Sequence, residues 1–146
     1  MSDRFTKSMA RNIYYGGSVF FLLLFLALTF DTGRALPKRD HRENLTPQVA
    51  QGKAVWEENN CIGCHTLLGE GAYYASELGN VYKRRGNDQI AAYFIRAWLK
   101  GTPTNISGRR QMPQFNFSEE ELDALVAFLK WTSEINTANW PPNIEG

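Results

Sequence analysis

Cys61-Ile62-Gly63-Cys64-His65 is the stretch whose reading decides the fold. Two cysteines separated by two residues and followed at once by histidine form the attachment pattern for a c-type haem. The spacing has a chemical reason. Thiols one helical turn apart can each add across a vinyl group of the same haem. The histidine that follows then lies under the ring, where Nε2 can serve as proximal iron ligand. Cys61 and Cys64 are the only cysteines in the chain.

Two plainer readings compete. A Cys-x-x-Cys pair can be a dithiol redox switch, which usually accompanies a βαβ pattern. It can also be half of a zinc site, but there is no second cysteine pair and the only other histidine is His41, so four ligands are not available. The surrounding sequence lacks the alternating strands of a thioredoxin-like unit. Haem attachment is the preferred reading.

Immediately upstream, Thr46-Pro47 has the form of an N-cap followed by proline at the first helical position. The helix expected from Pro47 to about Asn59 carries Val49, Gly52 and Trp56 on one side. Glycine costs helix stability, and a close crossing with another helix is the usual compensation. Residues 31–45 are polar and charged, contain Pro37, and read as a linker or an extension of the preceding helix. Before them, Ile13 to Phe30 is an uncharged run of about 18 residues, enough to span a bilayer as a helix. Tyr14 and Tyr15 mark its start, at headgroup level. A cleaved signal peptide is the alternative, but the run is long for one and Leu28-Thr29-Phe30 offers no small-residue cleavage site. The expectation is therefore an uncleaved anchor. Basic residues flank it on both sides, so the positive-inside rule does not orient it. The haem motif does, because bacterial haem c is attached outside the cytoplasmic membrane. Residues 1–12 are then cytoplasmic, 13–30 cross the inner membrane once, and a domain over 46–146 is periplasmic.

Downstream, Thr66 to Gly86 holds four glycines and little helical periodicity, yet it is too apolar for a loose linker. It is expected to line the haem pocket, to make a contact surface, or both. A second helix begins at Asn87, with Ile90, Phe94, Ala97 and Trp98 as its apolar stripe, and closes at Gly101 and Pro103. A third begins at the capping box Ser118-Glu119-Glu120-Glu121, with Leu122, Leu125, Val126 and Leu129 on one face. The tail Trp140-Pro141-Pro142-Asn143 is expected to be extended. The fold class is all-α: one transmembrane helix followed by a small helical haem domain.

The net charge of +1 gives no case for nucleic acid. Four Trp, six Tyr and nine Phe could wall a planar cofactor or simply fill a core that favours rings. For the second axial position, Met1 and Met9 precede the membrane helix, which leaves Met112 and His41. Met112 sits in a loop between two soluble helices, beside Arg109, Arg110 and Gln111, with Pro113 to stiffen it. Met112 is the expected ligand, with a vacant or His41-ligated iron as the alternatives. Thioether ligation would make the haem a six-coordinate, high-potential electron carrier.

The order of helix, Cys-x-x-Cys-His, loop, helix, Met-Pro loop and capped helix resembles class I cytochromes c. A more specific resemblance rests on the N-terminal anchor, the run from Cys61 through Thr66-Leu67-Leu68-Gly69-Glu70-Gly71-Ala72-Tyr73-Tyr74, and Met112-Pro113. Over nearly the whole chain it is similar to the small cytochrome c subunit of bacterial cytochrome c-dependent nitric oxide reductase. Ser76 stands where many relatives carry proline. The resemblance implies a large multi-helix catalytic subunit as partner. It also implies a soluble periplasmic cytochrome c or small copper protein as donor. Electrons would pass to haem b, and a second haem b with a non-haem iron would reduce two NO to N2O. This chain would then hold no reaction centre and be non-catalytic by itself. The resemblance further implies an interface calcium, with Gly71 and Tyr73 as its contribution from this side. A loop that only shapes the haem pocket is the equal alternative.

Two other functions stay open. One is a stand-alone tethered cytochrome c that shuttles between respiratory complexes. The other is a small haem enzyme or gas sensor with an open iron.

Overall fold

The computed structural model describes residues 5–108 and 110–138, and the Trp140–Asn143 segment lies outside them. The chain divides into two compact units, residues 1–38 and 39–146. In the first, helix α1 spans Lys7–Ala35. At 1.5 Å per residue it is about 44 Å long, against roughly 30 Å of bilayer hydrocarbon. It is the one helix among the described residues long and apolar enough to cross a membrane. Thr6 caps it by accepting from Met9 N–H at 3.2 Å. Inside the apolar run, the Thr29 hydroxyl donates back to the Phe25 carbonyl at 2.8 Å, so it is satisfied within its own helix.

The second unit is built on helices α2 (Pro47–Glu58), α3 (Val81–Arg84), α4 (Asp88–Gly101) and α5 (Glu119–Glu134). Each long helix starts where its cap dictates. The Thr46 hydroxyl accepts from Val49 N–H, and the Asn87 side chain accepts from Ile90 N–H. Ser118 and Glu121 exchange both bonds of a capping box. The core joins Val49, Val55 and Trp56 of α2 to Val81, Tyr82, Ala91 and Ile95, and to Leu125, Phe128 and Leu129 of α5. Arg96 pairs with Glu119 and Asp123, and Lys100 with Glu119, on the exposed side of α4 and α5. Such surface pairs add little each.

Helices α2 and α5 make the most extensive contact, and Gly52 is its closest point. A Cβ there would come 2.7 Å from Phe128 Cβ and run into the Ala124 carbonyl. The crossing expected from the glycine is therefore present. Gly52→Ala should lose more from overpacking, about 1–3 kcal/mol, than the roughly 1 kcal/mol it gains in helix propensity. A urea midpoint lowered with unchanged slope checks this, and a raised midpoint would contradict it.

Two expectations change. The 66–86 segment is not plain loop: β1 (Thr66–Leu67) and β2 (Glu70–Gly71) pair antiparallel, with Thr66 opposite Gly71, and α3 follows. Helix α4 also buries a face one step round from the expected stripe. Ala91 and Ile95 are buried, whereas Ile90 is 56% exposed. Periodicity locates an apolar face without showing that part of it borders a cavity.

Candidate functional site

Helix α2 is broken after Glu58 by Asn60, which adopts a left-handed φ of 52°. Cys61–Gly63 then form a single 3-10 turn. Cys64 N–H and His65 N–H both donate to the Cys61 carbonyl, at 3.2 and 2.9 Å. The two thiols and the imidazole are thus presented from one turn, as double attachment to a single planar group requires.

They open onto a cavity of about 480 Å³. Cys61, Cys64 and His65 line it, and so does Met112, more than forty positions later in the chain, beside Pro113 and Phe115. Trp56, Leu78, Phe94, Ile95, Trp98 and Leu129 supply apolar wall, and the rings of Phe94 and Trp98 stack at 6.3 Å. That explains the displaced stripe of α4: Phe94 and Trp98 border the cavity, and Phe94 also packs against the edge of the core. Among the described residues its charged lining is Arg84, Arg85 and Arg110, with no carboxylate. Arg85 lies 4.1 Å over the Phe94 ring and Arg110 4.9 Å from the Tyr74 ring. Arg110 also donates to the Tyr74 carbonyl at 2.9 Å, tying the Met112 loop to the loop after His65.

His65 is oriented by a single bond. Its Nδ1 lies 2.7 Å from the Ser76 carbonyl. A carbonyl only accepts, so Nδ1 carries the proton and Nε2 keeps its lone pair for a metal. The sequence marks Ser76 only as an unusual residue. Its role comes from its backbone oxygen, which no side-chain pattern announces. Burial pushes the Cys61 thiol up to about 11, with the neighbouring Cys64 adding to the effect.

Glu77, next to Ser76, has its carboxyl below the usual range. Burial alone would raise it, but hydrogen bonds from Thr66, Gly79, Leu68 and Gly69 outweigh that. Its stabilising contribution is present above the ordinary glutamate pKa and is lost as pH falls through the lowered one.

The other candidates lie elsewhere. Gly71 is in β2 and Tyr73 is 81% exposed, and neither lines the cavity. His41 is not a lining residue either; it sits 3.2 Å from Glu43, and its carbonyl accepts from Trp131 Nε1. Among the described residues no group of three or more His, Cys, Asp or Glu side chains is placed to hold a metal ion.

A helical domain that brings Cys-x-x-Cys-His and a distant methionine to one ring-walled cavity defines the class I cytochromes c. Residues 49–133 match the family model described as Cytochrome c. The C subunit of nitric oxide reductase from Stutzerimonas stutzeri is 58% identical over the full length of both chains, and that from Paracoccus denitrificans 54% over the full length. A segment covering 55% of the chain is 34% identical to part of cytochrome c oxidase subunit 2 of Alkalihalophilus pseudofirmus, spanning 24% of that protein. The chain belongs to the family of nitric oxide reductase C subunits.

A cytochrome c domain implies one covalent haem c, and the cavity fits it. Trp56 Nε1, on the cavity wall, is buried without an acceptor. A haem brings carboxylate oxygens that could accept from this donor and offset the positive charge of the arginines. The apolar remainder of the lining suits a porphyrin.

Proposed function

We propose that this chain is the electron-entry subunit of a nitric oxide reductase. It would take electrons from a soluble periplasmic cytochrome c or small copper protein and deliver them to haem b of a multi-helix catalytic subunit, where NO is reduced to N2O. The observation that carries this reading is the convergence of Cys61, Cys64, His65 and Met112 on one cavity, in a chain similar over its full length to nitric oxide reductase C subunits.

The bound haem would supply a one-electron iron couple. The residues do the rest. Cys61 and Cys64 would hold the group by thioether bonds, His65 would offer Nε2, and Met112 would offer its sulfur from a later segment of the same lining. With both His65 and Met112 bound to it, the iron would have no place for a substrate, which suits a carrier and not a reaction centre. Phe94, Trp98 and Leu129 would give the group apolar surroundings that limit its contact with water. Helix α1 anchors the chain, with residues 1–12 in the cytoplasm and the domain over 46–146 in the periplasm, outside the inner membrane.

For an interface calcium, the stretch from Gly71 to the exposed Tyr73 offers backbone carbonyl oxygens, a suitable donor type for a hard cation. With no acidic cluster beside it among the described residues, it would supply only part of a shell completed by the partner.

Extraction in mild detergent followed by an optical spectrum tests the assignment. Haem c and haem b absorption are expected in one purified complex. A chain that always purifies alone, without haem b, would sink this reading.

A further inference from the structure

The segment after His65 contains a strained turn and a carboxylate placed to hold it. Leu68 and Gly69, the two residues between β1 and β2, have φ of 54° and 88°. A two-residue hairpin wants both in the left-handed region, but a bulky leucine adopts it at a cost. Opposite them, one oxygen of Glu77 accepts from Leu68 N–H and from Gly79 N–H, both at 2.7 Å. The other accepts from Gly69 N–H at 3.3 Å. A Cβ at position 79 would come 2.6 Å from that same oxygen and from Leu68 Cδ2, so a larger residue there has to push the carboxylate aside. The Glu77 carbonyl accepts from Arg84 Nη2 at 2.6 Å. One side chain therefore ties the hairpin turn to the segment that runs 76–79.

The backbone links around it point the same way. Ala75 N–H donates to the Cys64 carbonyl at 2.8 Å, and Leu78 N–H to the Thr66 carbonyl at 2.9 Å. Between these two links stands Ser76, whose carbonyl orients His65. Resting on the reading of His65 as an axial ligand, we infer that Glu77 is a positioning residue for that ligand. Its carboxylate braces the 66–79 segment and so holds the Ser76 carbonyl on His65 Nδ1. A firm Nδ1–H···O bond makes the imidazole a stronger donor at Nε2, which favours the ferric state. Loosening the brace weakens that donor and raises the midpoint potential.

The test uses the intact complex, with Glu77→Ala and Glu77→Gln compared by optical redox titration of the haem c band. Near-infrared and EPR signatures of His–Met ligation are recorded first. Their absence from the wild-type complex would defeat the underlying reading of the ligands. With ligation intact, Glu77→Ala is expected to raise the potential, and an unmoved or lowered potential overturns the inference. Losing a negative charge would also raise it, so the glutamine decides between causes. Its Oε1 can still accept from Leu68 and Gly79 without carrying charge, and it is expected to return the potential most of the way to wild type. A glutamine variant shifted as far as the alanine one overturns the bracing role. If Glu77→Ala fails to mature, Gly79→Ala displaces the carboxylate without removing it. A raised potential in that variant supports the inference, and an unmoved one at full haem content overturns it.

Discussion

Replacing His65 with alanine is expected to leave a membrane-bound, haem-stained protein that no longer accepts electrons from a natural donor. The two roles separate because different atoms perform them. On the proposed function, attachment would belong to the thiols of Cys61 and Cys64, set on the 3-10 turn that Asn60 initiates. Ligation, on the same proposal, would belong to Nε2 of His65, which the bond from Nδ1 to the Ser76 carbonyl leaves with its lone pair. Removing the imidazole leaves the covalent links and takes away the donor that keeps the couple at a working potential. Changes to groups that merely orient a ligand cost about 10–100-fold in activity, so losing the ligand itself should cost more. Donor-driven NO consumption should fall to near zero. An artificial reductant that reaches haem b directly should still drive turnover, which shows that the catalytic partner is intact. Undiminished turnover with the natural donor would exclude His65 from the electron path.

The parts of the fold that can be read from the chain are those whose causes are local. Thr46-Pro47, Asn87 and the Ser118–Glu121 box each start a helix, because a capping side chain meets amides only two or three residues away. Gly52 is legible because its cost has to be offset by a close neighbour, and Ala124 and Phe128 of α5 are that neighbour. What escapes the sequence is set by non-local bonds. The hairpin at Thr66–Gly71 has a leucine at a position that favours glycine or asparagine, and it is held by a carboxylate eight or nine residues further on. No short-range turn rule identifies such a pair. The apolar face of α4 is visible as apolar, but hydrophobic periodicity cannot distinguish a face that meets protein from one that meets a cofactor. Phe94 and Trp98 border the cavity. For the site, Cys61, Cys64 and His65 can be named from spacing alone. The placing of Met112 on the same cavity needs the three-dimensional path of the 102–118 segment.

That path makes Met112→Ala the most informative change at the distal side. Met112 is only partly buried and packs in a loop, so truncation should cost less stability than the roughly 2–5 kcal/mol of a fully buried methionine. The segment also keeps other ties: Arg110 to the Tyr74 carbonyl, Gln111 to the Ile106 carbonyl, and Phe115 stacked on Phe117 at 5.1 Å. The domain should therefore fold and take up haem. The iron should change more than the protein. A thioether favours the ferrous state, and its loss should lower the midpoint potential by on the order of 0.1 V or more, within the roughly 0.8 V that axial ligand choice spans. The weak far-red absorption from sulfur to ferric iron should vanish, and the reduced protein should bind carbon monoxide where the wild type does not. A lowered potential would also make electron arrival from the donor uphill, so donor-driven turnover should drop while turnover with a strong artificial reductant is spared. If the far-red band survives, Met112 is not the ligand. His41 would then have to leave its Glu43 contact and the stretch of chain fastened to Trp131 before it could reach the cavity.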